Sequence, residues 1–228
     1  PPVEAYTYDR HDMNVSNPAE RVKLNAAKAE VESVTRHLRA AGVTNPYEQW
    51  NSMVRNTRRD IYRRKVQSGT PGLKKIVSEG DSWHLYPVLI SEIIDQLNFD
   101  PRLAIFSTDG AGDTLDGMWA ERLESNKGFQ KAISMERPSH FLVNGGGNDL
   151  LQAKPGADGQ MIGNLFFHLK PYQAGMSAAD LIAPSIETEY AAVEAKLRSM
   201  ITTALGFPSL RKVVFHGYDY PFPMNDLW

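Results

Sequence analysis

Ser82 lies where a strand-like run gives way to a helix-like pattern, and this position suits a nucleophile. The apolar run at 74–79 is followed by Gly80-Asp81-Ser82 and then by helical spacing over 85–97. A serine hydroxyl attacks an acyl carbon when a base removes its proton and donors hold the oxyanion. A turn capped by Asp81 or Ser82 explains the same residues without chemistry. Residues elsewhere in the chain distinguish the two interpretations.

Three further apolar runs end in small or polar residues, as the first one does. They cover 102–107, 140–145 and 212–217, and helical patterns lie between the runs at 85–97, about 114–134 and 186–205. Strands that alternate with helices predict a parallel sheet with right-handed crossovers. Ligands of such sheets bind beyond the carboxyl ends of the strands. The residues that follow each run are therefore the candidates for a site.

The residues that follow the later runs carry groups that acyl transfer requires. Gly112 follows the second run within AGDTL, and Asn148 follows the third within GGGND. Backbone N–H groups of Ser82 and Gly112, together with the Asn148 amide, can hold an oxyanion. A glycine at 112 leaves room for a substrate to approach the backbone closely.

The strings GDS, AGDTL and GGND, in this order at successive strand ends, resemble the first three blocks of the SGNH (GDSL-type) hydrolases. The resemblance covers roughly residues 74–221, with Ser82, Gly112 and Asn148 matching three of the four residues that name the family. It implies a three-layer α/β/α flavodoxin-like fold, with Ser82 as nucleophile and Gly112 and Asn148 in the oxyanion hole. It also implies an ester substrate, either a small molecule or an acylated glycan or lipid.

The fourth family residue, the histidine of an Asp-x-x-His block near the C-terminus, has no match. The one Asp-x-x-His string, Asp81 to His84, overlaps the nucleophile, and helical geometry would turn His84 away from Ser82. We expect the block beyond Trp228, in a continuation of the chain. The alternatives are a base from His216 or His168, a base from another chain, and a catalytically inactive protein with a binding or scaffold role.

Three residues beside these groups are predicted to contact the substrate. Asp81 and Trp83 flank Ser82, and His216 follows the fourth run. Trp83 suits core packing equally well. For Asp81 and Asp149 a structural role is favoured over a metal site, and we expect neither a metal ion nor a cofactor. The glycine run 145–147 lacks the GK[ST] of a P-loop, and no G-x-G-x-x-G follows the first strand.

Residues 1–68 are predicted to form an N-terminal helical extension to a hydrolase domain at 73–228. Asn17-Pro18 and Asn45-Pro46 each combine a capping residue with a first-turn proline. The second of these helices carries a cluster of basic side chains, which we interpret as a solvated face rather than as a patch for nucleic acid or lipid head groups. The cluster comprises Arg55, Arg58, Arg59, Arg63, Arg64 and Lys65. A partner-binding role for these helices is the alternative.

Composition excludes several classes of protein. The 228 residues include no cysteine, so disulfides, thiolate metal sites and a cysteine nucleophile are excluded. The formal net charge of −2 provides no general attraction to nucleic acid or anionic membranes. No apolar run approaches the ~18 residues that a membrane span requires. The sequence therefore predicts no nucleic-acid partner and no integral membrane segment, and leaves compartment and oligomeric state open.

Overall fold

A computed structural model describes residue 29 and residues 32–85, 92–151, 153–155 and 161–217. The predicted helix start at Asn17-Pro18 and residues 86–91 of the pattern at 85–97 lie outside these ranges. Within them, residues 32–40 are helical and form α1. No helix among the described residues is long and apolar enough to cross a membrane.

Four short strands form an all-parallel sheet in the order β2-β1-β3-β6. They are β1 (Lys74–Glu79), β2 (Leu103–Ser107), β3 (His140–Val143) and β6 (Lys212–Phe215), and each coincides with one of the predicted apolar runs. The register places Ile76 of β1 opposite Ile105 of β2 and His140 of β3. Parallel neighbours require crossover connections, so the α/β prediction is confirmed.

Alternate side chains of each strand point to opposite faces of the sheet, and helices pack against both faces. Val77 and Phe141 face a layer formed by α4 (Leu115–Glu121), α5 (Phe129–Glu136) and α8 (Ile186–Leu205). Ile76, Ile105 and Leu142 pack on the other face against α3 (Ile93–Asn98). This arrangement is consistent with three α/β/α layers, and α8 has the bounds that the sequence predicts.

The long helix α2 (Pro46–Gln67) lies along β2, which ends the described sheet on one side. Asn45 caps the helix as predicted, because its side chain accepts a hydrogen bond from the Glu48 N–H. Tyr62 packs edge-on against Phe106 of β2, with ring centroids 5.5 Å apart. A helix in this position protects an otherwise exposed strand edge.

The single helix predicted over about 114–134 is wrong, because two helices, α4 and α5, occupy this stretch. The chain folds back between them at Gly128. A Cβ at Gly128 would come closer than 3.0 Å to the backbone of Glu121 and Arg122. The two helices therefore meet where only glycine fits, and apolar periodicity does not reveal such a contact.

A long connection made of several short elements joins β3 to α8. It contains α6 (Gly147–Leu151), the antiparallel pair β4 (Ala153–Pro155) and β5 (Met161–Gly163), a 3-10 helix (Asn164–His168) and α7 (Ala178–Leu181). His168, which is buried, contacts the Ser185 hydroxyl through Nδ1 at 2.9 Å. This contact holds the connection against the start of α8.

Candidate active site

The ends of the four strands meet in one row across the sheet. Continuing the strand register by one residue for the β1–β3 and β3–β6 pairs, and by two for the β1–β2 pair, places Asp109, Gly80, Asn144 and His216 side by side. Backbone hydrogen bonds support this row, since Asn144 N–H donates to the Glu79 carbonyl (3.1 Å) and His216 N–H to the Val143 carbonyl (3.4 Å). The convergence expected for a parallel sheet brings these segments together.

Ser82 lies in a tight turn directly after β1. The His84 N–H donates to the Asp81 carbonyl (2.9 Å), and the Trp83 N–H donates to the Asp81 carboxylate (3.0 Å). Asp81 itself is buried, whereas Ser82 is partly exposed and Trp83 is 43% exposed. Among the described residues, neither the Ser82 hydroxyl nor its N–H has a hydrogen-bond partner. The turn thus presents a free hydroxyl beside an exposed aromatic ring.

Gly112 lies on the segment that follows β2, and Asn148, on the segment that follows β3, contacts the next residue, Asp113. Gly112 is exposed and has φ of +85°, a conformation that favours glycine. The Asn148 amide donates to the carbonyl of Asp113 at 2.8 Å, which uses one of its two N–H groups. Asp149 accepts from the Leu115 N–H (2.9 Å), so it caps α4 rather than bonding within its own turn.

Gly80 allows two buried side chains to pack beneath the Ser82 turn. An ideal Cβ at Gly80 would come closer than 3.0 Å to the Asn144 amide oxygen and to the His84 ring. The same Asn144 oxygen accepts from the Asp81 N–H at 3.2 Å. Asn144 and His84 are fully buried and hydrogen-bonded, so neither can move aside at low cost.

We expect Gly80→Ala to destabilise the protein by about 1–3 kcal/mol, the usual cost of overpacking. Gly117→Ala is the matched control, because a Cβ at Gly117 meets only Thr114 at an ordinary 3.4 Å. Alanine inside α4 should leave stability equal or slightly higher. Urea denaturation of both variants measures the difference. Equal midpoints would show that the packing beneath the turn tolerates a side chain.

A buried carboxylate and two histidines form a hydrogen-bonded chain behind the turn. His84 Nδ1 lies 2.8 Å from Asp109 Oδ1, and His84 Nε2 lies 2.7 Å from His216 Nε2. Burial alone would raise the pKa of Asp109, but the attraction and hydrogen bond of His84, and then the charge of Arg58, hold it below its ordinary value. Burial lowers the pKa of His216, against the opposing effect of the Gly217 carbonyl. His216 is half-buried at the sheet edge.

The solvated-face prediction is wrong for half of the basic cluster on α2, because Arg55, Arg58 and Arg59 are buried, whereas Arg63 and Arg64 are exposed as predicted. Arg58 donates to the His84 carbonyl (2.6 Å) and to Glu92 (2.6 Å), while Arg55 donates to the Asp109 carbonyl (3.1 Å). Arg59 donates to the Ser107 carbonyl at 2.9 Å. These side chains fasten α2 to the loops that follow β1 and β2. Only tertiary packing reveals this role.

Two acidic groups lie in the same region with shifted pKa values. Glu79, fully buried at the end of β1, has its pKa raised well above its ordinary value by burial and then by Asp113 and Asp109. Burial, with a contribution from Glu121, raises the pKa of Asp113 to about 7. A carboxyl group held neutral in a buried position donates as well as accepts. The sequence reasoning did not identify Glu79, Asp109 or Asp113, although each follows or ends a predicted strand.

No imidazole of the described residues hydrogen-bonds to Ser82. His216 Nδ1 lies 3.1 Å from the Gly217 carbonyl and its Nε2 contacts His84, so both of its nitrogens are engaged. His168 contacts Ser185 and lies 3.5 Å from Glu189. His140 begins β3 at the amino edge of the sheet, as predicted. Ser82, Gly112, Asn148 and His216 thus lie at the carboxyl edge, and within the described ranges no histidine contacts the serine.

Comparisons with protein-family models, with curated proteins and with solved structures found no match to this chain.

Proposed function

We propose that this chain is a serine hydrolase of the SGNH type that cleaves an ester. The observation that carries the proposal is the partly exposed Ser82 hydroxyl, which has no hydrogen-bond partner among the described residues, on a turn whose neighbours carry oxyanion donors. The Gly110 N–H donates to the Gly80 carbonyl (2.8 Å), which ties the Ser82 turn to the segment of Gly112. The strand order β2-β1-β3-β6 also supports a flavodoxin-like sheet, whose strands run 2-1-3-4-5.

In this mechanism, Ser82 Oγ attacks the carbonyl carbon of the ester and its proton passes to a base. The tetrahedral oxyanion accepts hydrogen bonds from the N–H groups of Ser82 and Gly112 and from the Asn148 amide. The base then protonates the leaving alcohol, and water hydrolyses the acyl group from Ser82. The free Ser82 N–H and the second amide hydrogen of Asn148 suit this role.

The base in this proposal is the histidine of the Asp-x-x-His pair that the family resemblance implies. An inactive protein of the same fold, with a binding or scaffold role, is the second candidate. The observation that favours this second candidate is that no described imidazole contacts Ser82. The substrate is a small ester or an acylated glycan or lipid, and the exposed Trp83 offers a flat surface beside the nucleophile.

A fluorophosphonate probe separates the two candidates, because it modifies only activated serines. The purified protein is weighed by intact mass spectrometry before and after treatment, and the modified peptide is then mapped. We expect one adduct, located on Ser82. A protein that gains no adduct, or gains it on another serine, contradicts the hydrolase proposal and favours the binding role.

We expect Asn148→Ala to lower kcat for a simple ester by a few hundred-fold, because removing one oxyanion donor costs roughly 3 kcal/mol. KM should change little, since the donor acts mainly in the transition state. Steady-state kinetics with p-nitrophenyl acetate measure both constants. Asn148→Asp tests the chemistry further, because a carboxylate of similar size repels the oxyanion. An alanine variant with unchanged kcat would remove Asn148 from the oxyanion hole.

A further inference from the structure

We propose that Asp109, His84 and His216 form a proton-sharing relay and that His84 is a positioning residue for the Ser82 turn. This inference rests on the proposed function, because Ser82 is taken as the nucleophile. The relay runs across the row of strand ends, from Asp109, two residues beyond β2, to His216, the residue after β6. The His84 ring spans the distance between the two by lying over Gly80.

The Asp109 end of the relay fixes the tautomer of His84. Asp109 Oδ2 accepts from the hydroxyls of Ser78 and Ser107, both at 2.6 Å, and lies 3.8 Å from the Arg58 guanidinium. These partners favour an ionised carboxylate, which can only accept hydrogen bonds. The proton of the 2.8 Å contact with His84 therefore resides on His84 Nδ1.

The contact between the two histidines then requires one proton between their Nε2 atoms. At 2.7 Å, two bare nitrogens would repel each other, and two N–H groups would clash. The Gly217 carbonyl can only accept, so His216 carries a proton on Nδ1. Because burial lowers the pKa of His216, its Nε2 stays bare and accepts the proton of His84 Nε2, so that His84 donates from both ring nitrogens.

Hydrogen bonds to Asp109 and to His216 hold the His84 ring on both sides. Because His84 belongs to the Ser82 turn, the position of its ring affects the position of that turn. The His84 backbone is held as well, because its carbonyl accepts from Arg58 and its N–H donates to the Asp81 carbonyl. Ser82 has no side-chain partner of its own in the described part of the chain, so the turn alone sets the direction of its hydroxyl. Loss of the His216 contact should therefore misplace Ser82 without unfolding the protein.

Replacement of His216 tests the relay, because this residue is half-buried at the edge and its loss should not prevent folding. His216→Ala should slow fluorophosphonate labelling of Ser82 by roughly ten- to a hundredfold, the scale expected for a misplaced nucleophile. His216→Gln should recover most of the rate, because the glutamine amide oxygen can accept from His84 Nε2. His140→Ala, at the opposite end of β3, is the control and should label at the wild-type rate.

Imidazole ¹H–¹⁵N correlation spectra give a readout that does not depend on activity. We expect His84 to carry protons on both ring nitrogens and His216 to carry one on Nδ1 alone, with this pattern lost in His216→Ala. A His84 that carries a proton on only one nitrogen, or alanine and glutamine variants that label equally, would overturn the relay. If the wild-type protein takes no label, the hydrolase proposal fails, and the spectra still decide whether the relay exists.

Discussion

Replacing Ser82 by alanine should reduce ester turnover to the background rate. The alanine variant keeps the turn, because the hydrogen bonds that hold it come from Asp81, His84 and Asn144 rather than from the serine side chain. Without the hydroxyl no acyl-enzyme forms, and loss of a nucleophile in a serine hydrolase typically lowers kcat by roughly 10⁶-fold. Turnover of p-nitrophenyl acetate, corrected for hydrolysis in buffer, is the measurement.

A matched serine variant shows whether the effect is specific. Ser199→Ala removes an exposed hydroxyl on α8 that bonds only to the Ala195 carbonyl within its own helix. Its turnover should equal that of the unchanged protein. Thermal unfolding of both variants should also be close to that of the unchanged protein, since Ser82 is partly exposed. If Ser82→Ala turned over ester at the original rate, the nucleophile would lie elsewhere.

The sequence predicts the parts of this fold that depend on local pattern. Short apolar runs identify all four strands of the parallel sheet, and a continuous stripe gives both ends of α8. The position of Asn45 before Pro46 predicts the cap of α2. Because parallel strands point the same way, the sequence alone places the small and polar residues after each run at one edge of the sheet.

The unpredicted parts depend on contacts between distant segments. The break between α4 and α5 arises from backbone packing at Gly128, which leaves no periodic signal. From their charge, the arginines of α2 are expected to face solvent, because residue type alone does not show which loops pack against a helix. Likewise, His84 and His216 are 132 residues apart, and only the strand order brings their rings together.

Arg58→Met should destabilise the protein more than any other single change on α2. Arg58 is 2% exposed, and its guanidinium contacts Glu92 (2.6 Å), Asp95 (2.8 Å) and the His84 carbonyl (2.6 Å). Removing one member of a buried charge network leaves its partners uncompensated and typically costs about 3–5 kcal/mol. Methionine retains the apolar volume, so the loss reflects the charge and hydrogen bonds. Urea denaturation followed by circular dichroism measures it.

The pH dependence of this loss distinguishes charge from packing. Arg58 helps to hold the pKa of Asp109 below its ordinary value, so the stabilisation is present above about pH 4 and declines as pH falls through the folded pKa. The difference in unfolding free energy between Arg58→Met and the unchanged protein should therefore be largest at pH 7 and smaller in acid. Arg63→Met is the control, because Arg63 is exposed and, within the part of the chain that the structure describes, pairs only with Asp60 on the surface, where such pairs contribute little. A difference that stayed constant with pH would mean that Arg58 acts through packing. A difference that becomes smaller in acid would mean that the charge of Arg58 holds α2 against the Ser82 turn.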